Sequence, residues 1–345
     1  MIRFDSDYIE GCHPRILLAL EESNMEQAPG YGEDKYCDRA RELIRKACGA
    51  PEADVHFLVG GTQTNLTVIA AVLRPWEGVF CAGTGHINCH ETGAVEATGH
   101  KVLALPHKDG KLNAAQLRAA AEALRNDPNF EHIVQPGMVY LSQPTEYGTL
   151  YTKTELEEIS AVCRALELPL FMDGARLGYA LAADETLTLE DYAKLCDVFY
   201  IGGTKCGCLC GEAVVIQSVE LKRCFRNMIK QRGGMLAKGR LLGIQFNELF
   251  SDGLYVKICS GAVEKARGIR SALLAAGIPL AFDSPTNQLF PVLTREQYAR
   301  LSNQFALGVW DVSGGERDTY RICTSWATTE DNCAALIKAI QEIGE

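Results

Sequence analysis

Residues 199–212 read FYIGGTKCGCLCGE, and a lone lysine, Lys205, stands there between an apolar run and several glycines and cysteines. The apolar run begins at Val198 and is rich in β-branched and aromatic residues, which predicts a buried strand. In an open parallel sheet, the residues that follow such a strand lie at the edge where ligands bind. Lys205 is therefore either a ligand-binding residue or an ordinary lysine of a solvent-facing loop, and other segments must decide between the two.

Short apolar runs of the same kind recur through the first two-thirds of the chain and alternate with amphipathic helical stretches. This alternation is typical of an α/β domain with a mostly parallel sheet. The predicted strands span residues 55–59, 79–83, 101–106, 138–142, 169–173 and 198–202.

Two helices are predicted from apolar residues at helical spacing. One follows the segment GGTQTN (60–65) and ends before Pro75, and the other starts at Thr152, which forms a capping-box pattern with Glu155. The residues predicted to face the core are Leu66, Ile69, Ala70 and Leu73 in the first helix, and Leu156, Ile159, Cys163 and Leu166 in the second.

The pattern of elements changes beyond about residue 245. A long helix is predicted near 255–276, a shorter one near 295–306 and a final one near 329–343, with strands at GVWDV (308–312) and TYRICTSW (319–326). This change predicts two domains, a large one over residues 1–245 and a smaller C-terminal α+β domain over residues 246–345.

Composition limits the classes of function. Of the 345 residues, 47% are hydrophobic and 23% are charged, which is the profile of a globular protein with a large core. The formal net charge of -10 argues against nucleic acid or an anionic membrane as a partner. The N-terminal sequence lacks the pattern of a secretory signal, and no apolar run is long enough to span a bilayer, so a cytoplasmic location is expected.

Fourteen cysteines are present, and in a cytoplasmic protein they are expected to be reduced and packed as small hydrophobic residues. Cys206, Cys208 and Cys210 are two positions apart, a spacing that suggests one face of a strand. No pair has the C-x-x-C spacing of a zinc site, and His86 and His90, which are four apart, have no evident third ligand. The sequence therefore predicts no metal site.

Three other segments carry groups that would suit a ligand near Lys205. The segment GGTQTN follows a predicted strand and opens a helix, where free backbone N–H groups bind anions, although a tight turn with a helix cap would look the same. Asp173 and Arg176, within MDGAR (172–176), end another strand. A lysine, a carboxylate for a pyridine nitrogen and an anion cradle are together what a pyridoxal phosphate enzyme needs. The third segment, HINCHETGA (86–94), supplies His86, whose imidazole would suit the face of the pyridine ring.

The small residues around Lys205 are expected to leave room for that flat ring, and partial burial and a nearby cation are expected to favour the neutral amine that a Schiff base requires. This interpretation makes Lys205 exposed to a cofactor rather than to water.

Together these segments resemble the threonine aldolase family, in the β-eliminating lyase branch of fold-type I pyridoxal phosphate-dependent enzymes. The similarity runs in the family's order over most of the chain. The segments that carry it are SDYIEGCHPRILLALEE, APGYGEDKYCDRA, GGTQTN, HINCHETGA, SQPTEYG, MDGARL, GGTKCG and YRICTSWATT.

The resemblance implies a role for each matching residue. Lys205 would form the Schiff base with pyridoxal phosphate, Asp173 would pair with the pyridine nitrogen, Arg176 would lie by the phenolic oxygen, and His86 would stack on the ring. Further implied roles are phosphate binding by Gly61, Thr62 and Gln63, binding of the substrate carboxylate by Ser6 and Arg321, a reach into the neighbouring subunit by Tyr31, and a contact with the neighbour's phosphate by Lys238 or Arg240.

The implied fold is a large domain with a mostly parallel sheet plus a smaller C-terminal domain, and the implied assembly is a homodimer or homotetramer with shared active sites. The implied reaction cleaves β-hydroxy-α-amino acids such as L-threonine or L-allo-threonine to glycine and an aldehyde. His86, acting directly or through a water molecule, is the candidate base for the β-hydroxyl proton, and Glu91 is the second candidate.

Two positions depart from the family pattern, Cys206 after the lysine and Thr64 in the cradle, and they leave the preferred substrate side chain open. Two other readings also stay open at this point. One is a pyridoxal phosphate-dependent β-elimination or transamination on the same fold, and the other is a protein that binds a cofactor or nucleotide without catalysis. The presence of Lys205, Asp173 and Arg321 argues against the second.

Overall fold

The computed structural model describes residues 1–344. Its strands are short and are distributed over the whole chain. In chain order they are β1 (Ile2–Arg3), β2 (Asp54–Leu58), β3 (Glu77–Ala82), β4 (Lys101–Leu105), β5 (Gln135–Ser142), β6 (Leu170–Asp173), β7 (Val198–Gly202), β8 (Glu212–Ile216), β9 (Gln288–Leu289), β10 (Val292–Thr294), β11 (Phe305–Ala306), β12 (Gly308–Asp311) and β13 (Arg317–Cys323).

Helices follow most of the strands. In chain order they are α1 (Pro14–Ser23), α2 (Lys35–Ala47), α3 (Gly61–Val72), α4 (His86–Cys89), α5 (Ala114–Arg125), α6 (Lys153–Ala165), α7 (Leu177–Ala183), α8 (Leu189–Leu195), α9 (Val219–Lys222), α10 (Phe225–Gln231), α11 (Arg240–Ser251), α12 (Leu254–Ala275), α13 (Arg295–Ser302) and α14 (Glu330–Gly344). Within residues 1–344, no helix combines the length and the apolar character that a membrane crossing requires.

A seven-stranded sheet forms the centre of the molecule, in the order β2-β8-β7-β6-β5-β3-β4. The predicted parallel pairing is confirmed from β7 through to β4, whereas β8 runs antiparallel to both of its neighbours. Strand β8 was not predicted from the sequence. The six predicted strands are all present, with ends that differ by up to three residues.

Apolar residues cover both faces of this sheet. In β7, Phe199 and Ile201 belong to the hydrophobic cluster on one face, and Val198 and Tyr200 belong to the cluster on the other. A strand that is buried on both faces is continuously apolar rather than alternating, which explains the run that begins at Val198.

Helix α6 is capped as predicted, because the Thr152 side chain accepts from the Glu155 backbone N–H and the Glu155 carboxylate accepts from the Thr152 backbone N–H. Its predicted core stripe is fully buried. For α3 the predicted stripe is wrong in part, since Leu66 and Ala70 are only half-buried. The buried face of α3 instead includes polar residues, namely Thr64, Asn65 and Thr67.

A separate hydrophobic cluster holds the C-terminal elements together. It joins α12, α13 and α14 to the small antiparallel strands around β13, and it includes Phe4 from the N-terminal segment. Strand β1 pairs with β11, so the N-terminal residues of the chain pack against its C-terminal elements. The predicted boundary after residue 245 stays a prediction, although α11, which crosses it, packs mainly on α2 of the large domain.

Candidate active site

The carboxyl ends of β5, β6 and β7 meet at one edge of the central sheet, and a cavity of about 320 Å³ opens there. An adjoining cavity of about 410 Å³ lies toward the C-terminal strands and shares five lining residues with the first. Tyr8, His86, Glu146, Arg176 and Lys205 are these shared residues. The first cavity is called here the inner cavity and the second the outer cavity.

Lys205 follows β7 directly and lines both cavities. Burial, reinforced by the nearby charge of Arg176, lowers the pKa of its amine below the ordinary value. The Tyr179 hydroxyl donates to the Lys205 carbonyl oxygen over 2.6 Å and fixes the backbone at this point. A lysine held in this way is closer to the neutral form that attacks a carbonyl carbon.

Close backbone packing requires two of the small residues around Lys205. A Cβ on Gly203 would lie 2.6 Å from the Gly211 carbonyl oxygen, and one on Gly202 would lie 2.3 Å from the Ala175 carbonyl oxygen. That the small residues also leave room for a ring stays a prediction. Cys206 and Cys208 are buried in the turns between β7 and β8, so their spacing does not mark the face of a strand.

Asp173 ends β6 and is buried beneath the inner cavity. Its Oδ1 accepts hydrogen bonds from the Ala175 backbone N–H and the Tyr200 hydroxyl, and its Oδ2 accepts from the Asn65 amide and the Tyr140 hydroxyl. Burial alone would raise the pKa of Asp173, but the charge of His86 and the hydrogen bonds from the two phenols lower it. The carboxylate is therefore stabilised as an anion.

The segment predicted to bind phosphate lies at the start of α3. Gly60, Gly61 and Thr62 line the inner cavity, and the free N–H groups of the first helical turn are available to an anion. The side chain of Gln63 turns back, since its Oε1 accepts from the Val59 N–H at 3.3 Å and its Nε2 donates to the Arg232 carbonyl oxygen at 3.2 Å. Only the backbone of Gln63 remains suited to the predicted role.

His86 and Glu91 form one hydrogen-bonded unit. The Nδ1 atom of His86 lies 2.7 Å from Oε1 of the buried Glu91, which also accepts from the Asn65 amide at 2.7 Å. Because Asn65 contacts both Glu91 and Asp173, it joins the histidine to the carboxylate below the cavity. Glu91 thus orients His86 through its Oε1, and Glu91 is not among the residues that line either cavity.

Arg176 pairs with Asp7, a residue that the sequence did not single out. The Arg176 Nε donates to Asp7 Oδ2 at 2.6 Å and its Nη2 donates to Asp7 Oδ1 at 2.9 Å. Asn287 also donates to Asp7 Oδ2, at 2.9 Å. Arg176 still lines both cavities, so it can contact a ligand while this pair fixes its direction.

One of the two residues predicted to bind the substrate carboxylate, Arg321, lies in the wall of the outer cavity. Arg321 lines that cavity, where its Nη2 donates to the Asp5 carbonyl oxygen at 3.0 Å and its guanidinium lies 5.6 Å from the centre of the Trp310 ring. Ser6 is buried in the segment next to Asp5.

Tyr31 lies elsewhere in the subunit. It is 46% exposed and lines a separate small cavity together with Arg226 and Met235. The structure therefore does not bring Tyr31 to the same pocket as Lys205.

Sequence reasoning missed several polar residues of the site, namely Asn65, Tyr140, Tyr200, Glu146 and Glu212. Glu212 faces the inner cavity from β8 and accepts from the Gly203 N–H and the Thr204 hydroxyl, and burial raises its pKa to about 8. For Asn65 a signal was available, because it is a polar residue on the helical face that also carries Val68 and Ile69. The others stand in strands or loops whose local pattern gave no such signal.

Comparison with known proteins identifies the family. The family model described as beta-eliminating lyase matches residues 4–290. The chain belongs to the beta-eliminating lyase family. A low specificity L-threonine aldolase of Pseudomonas sp. (strain NCIMB 10558) is 31% identical over 347 residues, which cover 99% of this chain and 97% of the relative.

Solved structures agree with this assignment. A threonine aldolase of Leishmania major is 45% identical, with a TM-score of 0.97 and complete coverage of both chains. A single mutant of the aspartate aminotransferase of Thermus thermophilus is 14% identical, with a TM-score of 0.73 over 99% of this chain and 91% of that one, and it bears on the fold alone. The predicted fold-type I architecture is thereby confirmed, and this member of the beta-eliminating lyase family is a pyridoxal phosphate-dependent lyase.

The residues around the inner cavity fit pyridoxal phosphate. The buried Asp173 carboxylate supplies the anion that a protonated pyridine nitrogen requires, and the start of α3 supplies N–H groups for a phosphate. The lowered pKa of Lys205 suits covalent attachment of an aldehyde. These three features come from different elements and meet around one cavity.

Proposed function

We propose that this beta-eliminating lyase family member is a pyridoxal phosphate-dependent aldolase that cleaves β-hydroxy-α-amino acids, such as L-threonine or L-allo-threonine, to glycine and an aldehyde. The observation that carries the proposal is the arrangement of Lys205, Asp173 and His86 around the inner cavity, with Arg321 across the outer one. The relatives named threonine aldolase support the same reaction.

Pyridoxal phosphate, when bound, supplies the electron sink for cleavage of the Cα–Cβ bond. Lys205 would hold the cofactor covalently. Asp173 would keep the pyridine nitrogen protonated, because four donors maintain its own carboxylate as an anion. The N–H groups of Gly61, Thr62 and Gln63 would bind the phosphate, and Arg176, which lines both cavities, would contact the cofactor.

His86 is the proposed base for the β-hydroxyl proton. Its Nδ1 is held by Glu91, which leaves Nε2 for the substrate or for a bridging water molecule. This arrangement speaks against Glu91 as the base, since its Oε1 already contacts His86 and Asn65 and Glu91 does not line either cavity. Glu91 is therefore a positioning residue in this proposal.

Arg321 and Ser6 bind the substrate carboxylate. A guanidinium on the wall of the outer cavity fixes one end of the amino acid, and the cofactor position fixes the other. Holding both ends would fix the orientation of the Cα–Cβ bond in the site, and a fixed orientation would favour aldol cleavage over transamination.

The active enzyme is proposed to be a homodimer or homotetramer. Tyr31 lies away from the inner cavity, and Leu17, Leu18 and Met25, which are apolar, are 53%, 54% and 88% exposed in the same N-terminal region. If a second subunit covered this region, Tyr31 of the first subunit would reach the active site of the second.

For the contact with the neighbour's phosphate, Lys238 is favoured over Arg240. The Arg240 guanidinium already donates to the carbonyl oxygens of Glu26 and Asn24, whereas Lys238 is exposed. The cytoplasmic location stays a prediction, and the fourteen free cysteines are compatible with a reducing compartment.

The test is a product assay with a panel of L-threonine, L-allo-threonine and phenylserine. We expect glycine and the matching aldehyde in a one-to-one ratio. Pyruvate with ammonia would indicate β-elimination and a keto acid would indicate transamination, and either result without glycine would refute the aldolase assignment.

A further inference from the structure

Gln288 is a buried glutamine whose side chain has no partner of its own. It is 0% exposed and lines the outer cavity, and among residues 1–344 neither its Nε2 nor its Oε1 makes a hydrogen bond. Since both atoms are unpaired, this observation does not depend on which way the amide is oriented. Buried amides are normally satisfied, so an unpaired one that faces a cavity indicates a missing partner.

The pairing of β9 with β13 explains why Gln288 faces the cavity. Gln288 lies directly opposite Cys323, and Leu289 lies opposite Ile322. Leu289 and Ile322 point into the C-terminal hydrophobic cluster. Because side chains alternate between the two faces of a sheet, Gln288, Cys323 and Arg321 share the opposite face, toward the active site.

Two further donors near Gln288 are also unpaired. Within the described part of the chain, the Arg321 Nε and the Ser6 hydroxyl have no hydrogen-bond partner, although both are buried. Ser6 is held close by the backbone, since the Cys323 N–H donates to the Phe4 carbonyl oxygen at 2.7 Å and Arg321 Nη2 donates to that of Asp5 at 3.0 Å. Three donors with no acceptor thus belong to three segments that are joined by these contacts.

We propose that the Gln288 amide donates a hydrogen bond to the carboxylate of the amino-acid substrate, next to Arg321. The proposal rests on the proposed function, because it assumes an amino-acid substrate bound in this orientation. A carboxylate matches the site because it has four lone-pair positions and no hydrogen, and three of the four unpaired atoms, Gln288 Nε2, Arg321 Nε and the Ser6 hydroxyl, are donors. The guanidinium of Arg321 alone would leave part of that acceptor capacity unused.

In this proposal the Gln288 side chain has no protein partner in the free enzyme, and its Nε2 gains one when the substrate binds. This has two consequences that a structural glutamine would not share. Removal of the amide should weaken the binding of ligands that carry a carboxylate, and it should not destabilise the protein in their absence, because no intramolecular hydrogen bond is lost.

The decisive variant is Gln288→Met, which keeps a side chain of similar length without polar atoms. The holoenzyme is titrated with glycine and with methylamine, which has the amino group of glycine but no carboxylate, and both are followed by the absorption of the cofactor. We expect glycine to bind about tenfold more weakly or worse, as for other hydrogen bonds to a charged group, and methylamine to bind as in the parent. Arg321→Ala should likewise weaken the binding of glycine and leave the binding of methylamine unchanged.

Gln245→Met is the matched control. Gln245 is also 0% exposed, but its Oε1 accepts from the Leu209 N–H and its Nε2 donates to the Leu241 carbonyl oxygen. Urea unfolding of the cofactor-free proteins should show a lower midpoint for Gln245→Met and an unchanged or higher midpoint for Gln288→Met. The ratio of the dissociation constants for glycine and methylamine should be the same in the control as in the parent.

The proposal is overturned if glycine binds Gln288→Met as tightly as it binds the parent, or if the affinity for methylamine falls equally. It is also overturned if Gln288→Met is as destabilised as the control, since the amide would then have a structural role. Failure of the proposed function is recognised separately, by a parent enzyme that binds glycine but forms no glycine and aldehyde from any member of the panel.

Discussion

The ion pair between Asp7 and Arg176 gives a stability prediction that can be worked out from the structure. The Asp7 side chain is fully buried and that of Arg176 is 13% exposed, and the pair ties the N-terminal segment to the loop after β6. Burial alone would raise the pKa of Asp7, but the charge and hydrogen bonds of Arg176 lower it from 3.8 to about 2. One pKa unit corresponds to about 1.4 kcal/mol, so preferential ionisation contributes roughly 2 kcal/mol to the free energy of unfolding.

The Asp7→Asn variant removes this contribution and leaves a buried guanidinium without its anion. Leaving a buried charge unpaired typically costs about 3–5 kcal/mol, so we expect a loss of that order at pH 7. The folded pKa of Asp7 is lowered, so its contribution is complete above the unfolded pKa of about 3.8 and is lost as the pH falls through about 2. The difference between parent and variant should therefore shrink by about 1 kcal/mol between pH 7 and pH 3.

The assay is urea unfolding of the cofactor-free proteins, followed by circular dichroism at pH 7, 4 and 3. The control is Asp5→Asn, the same substitution two residues earlier, where the partner Arg3 is 58% exposed. An exposed pair of that kind contributes at most about 1 kcal/mol. The reasoning is refuted if Asp7→Asn costs no more than Asp5→Asn at pH 7, or if its cost is the same at pH 3 as at pH 7.

Three predictions concern Lys205, His86 and Glu91. Lys205→Ala should lose nearly all turnover together with the absorption band of the lysine-bound cofactor, and normal activity with the cofactor trapped by borohydride on another lysine would contradict the assignment. His86→Asn should retain the cofactor but lower kcat for threonine cleavage by about a hundredfold, the lower range for loss of a general base. Glu91→Gln should lower kcat less than His86→Asn does, because it only loosens the histidine; an equal or larger loss would mean that Glu91 itself moves the proton.

Local sequence patterns were sufficient for six of the seven strands of the central sheet. The run that begins at Val198 is apolar throughout because β7 is buried on both faces, and that property is visible without any knowledge of its neighbours. The common location of Lys205 and Asp173 could then be predicted, because both residues lie at or just after the carboxyl ends of parallel strands and such ends lie at one edge of the sheet. The capping box of Thr152 and Glu155 could be predicted from the sequence because it involves only four consecutive residues.

Strand β8 escaped prediction although it is fully buried. It has only five residues, from Glu212 to Ile216, and directly follows a segment rich in glycine and cysteine. Its antiparallel course between β2 and β7 depends on pairing with strands that are far apart in the chain. Such pairing leaves no periodic signal within the strand itself.

The sequence by itself determined the class of the fold, the family and the positions of Lys205, Asp173 and His86, because local burial and the order of motifs are written along the chain. Only the tertiary structure decided which groups surround them. Asp7 meets Arg176 across 169 positions, and Asn65 meets Asp173 across 108. Contacts of that kind depend on how sheets and helices pack, and periodicity over a few residues carries no information about them. The missing partner of the Gln288 amide is likewise evident only from the positions of all the residues around it.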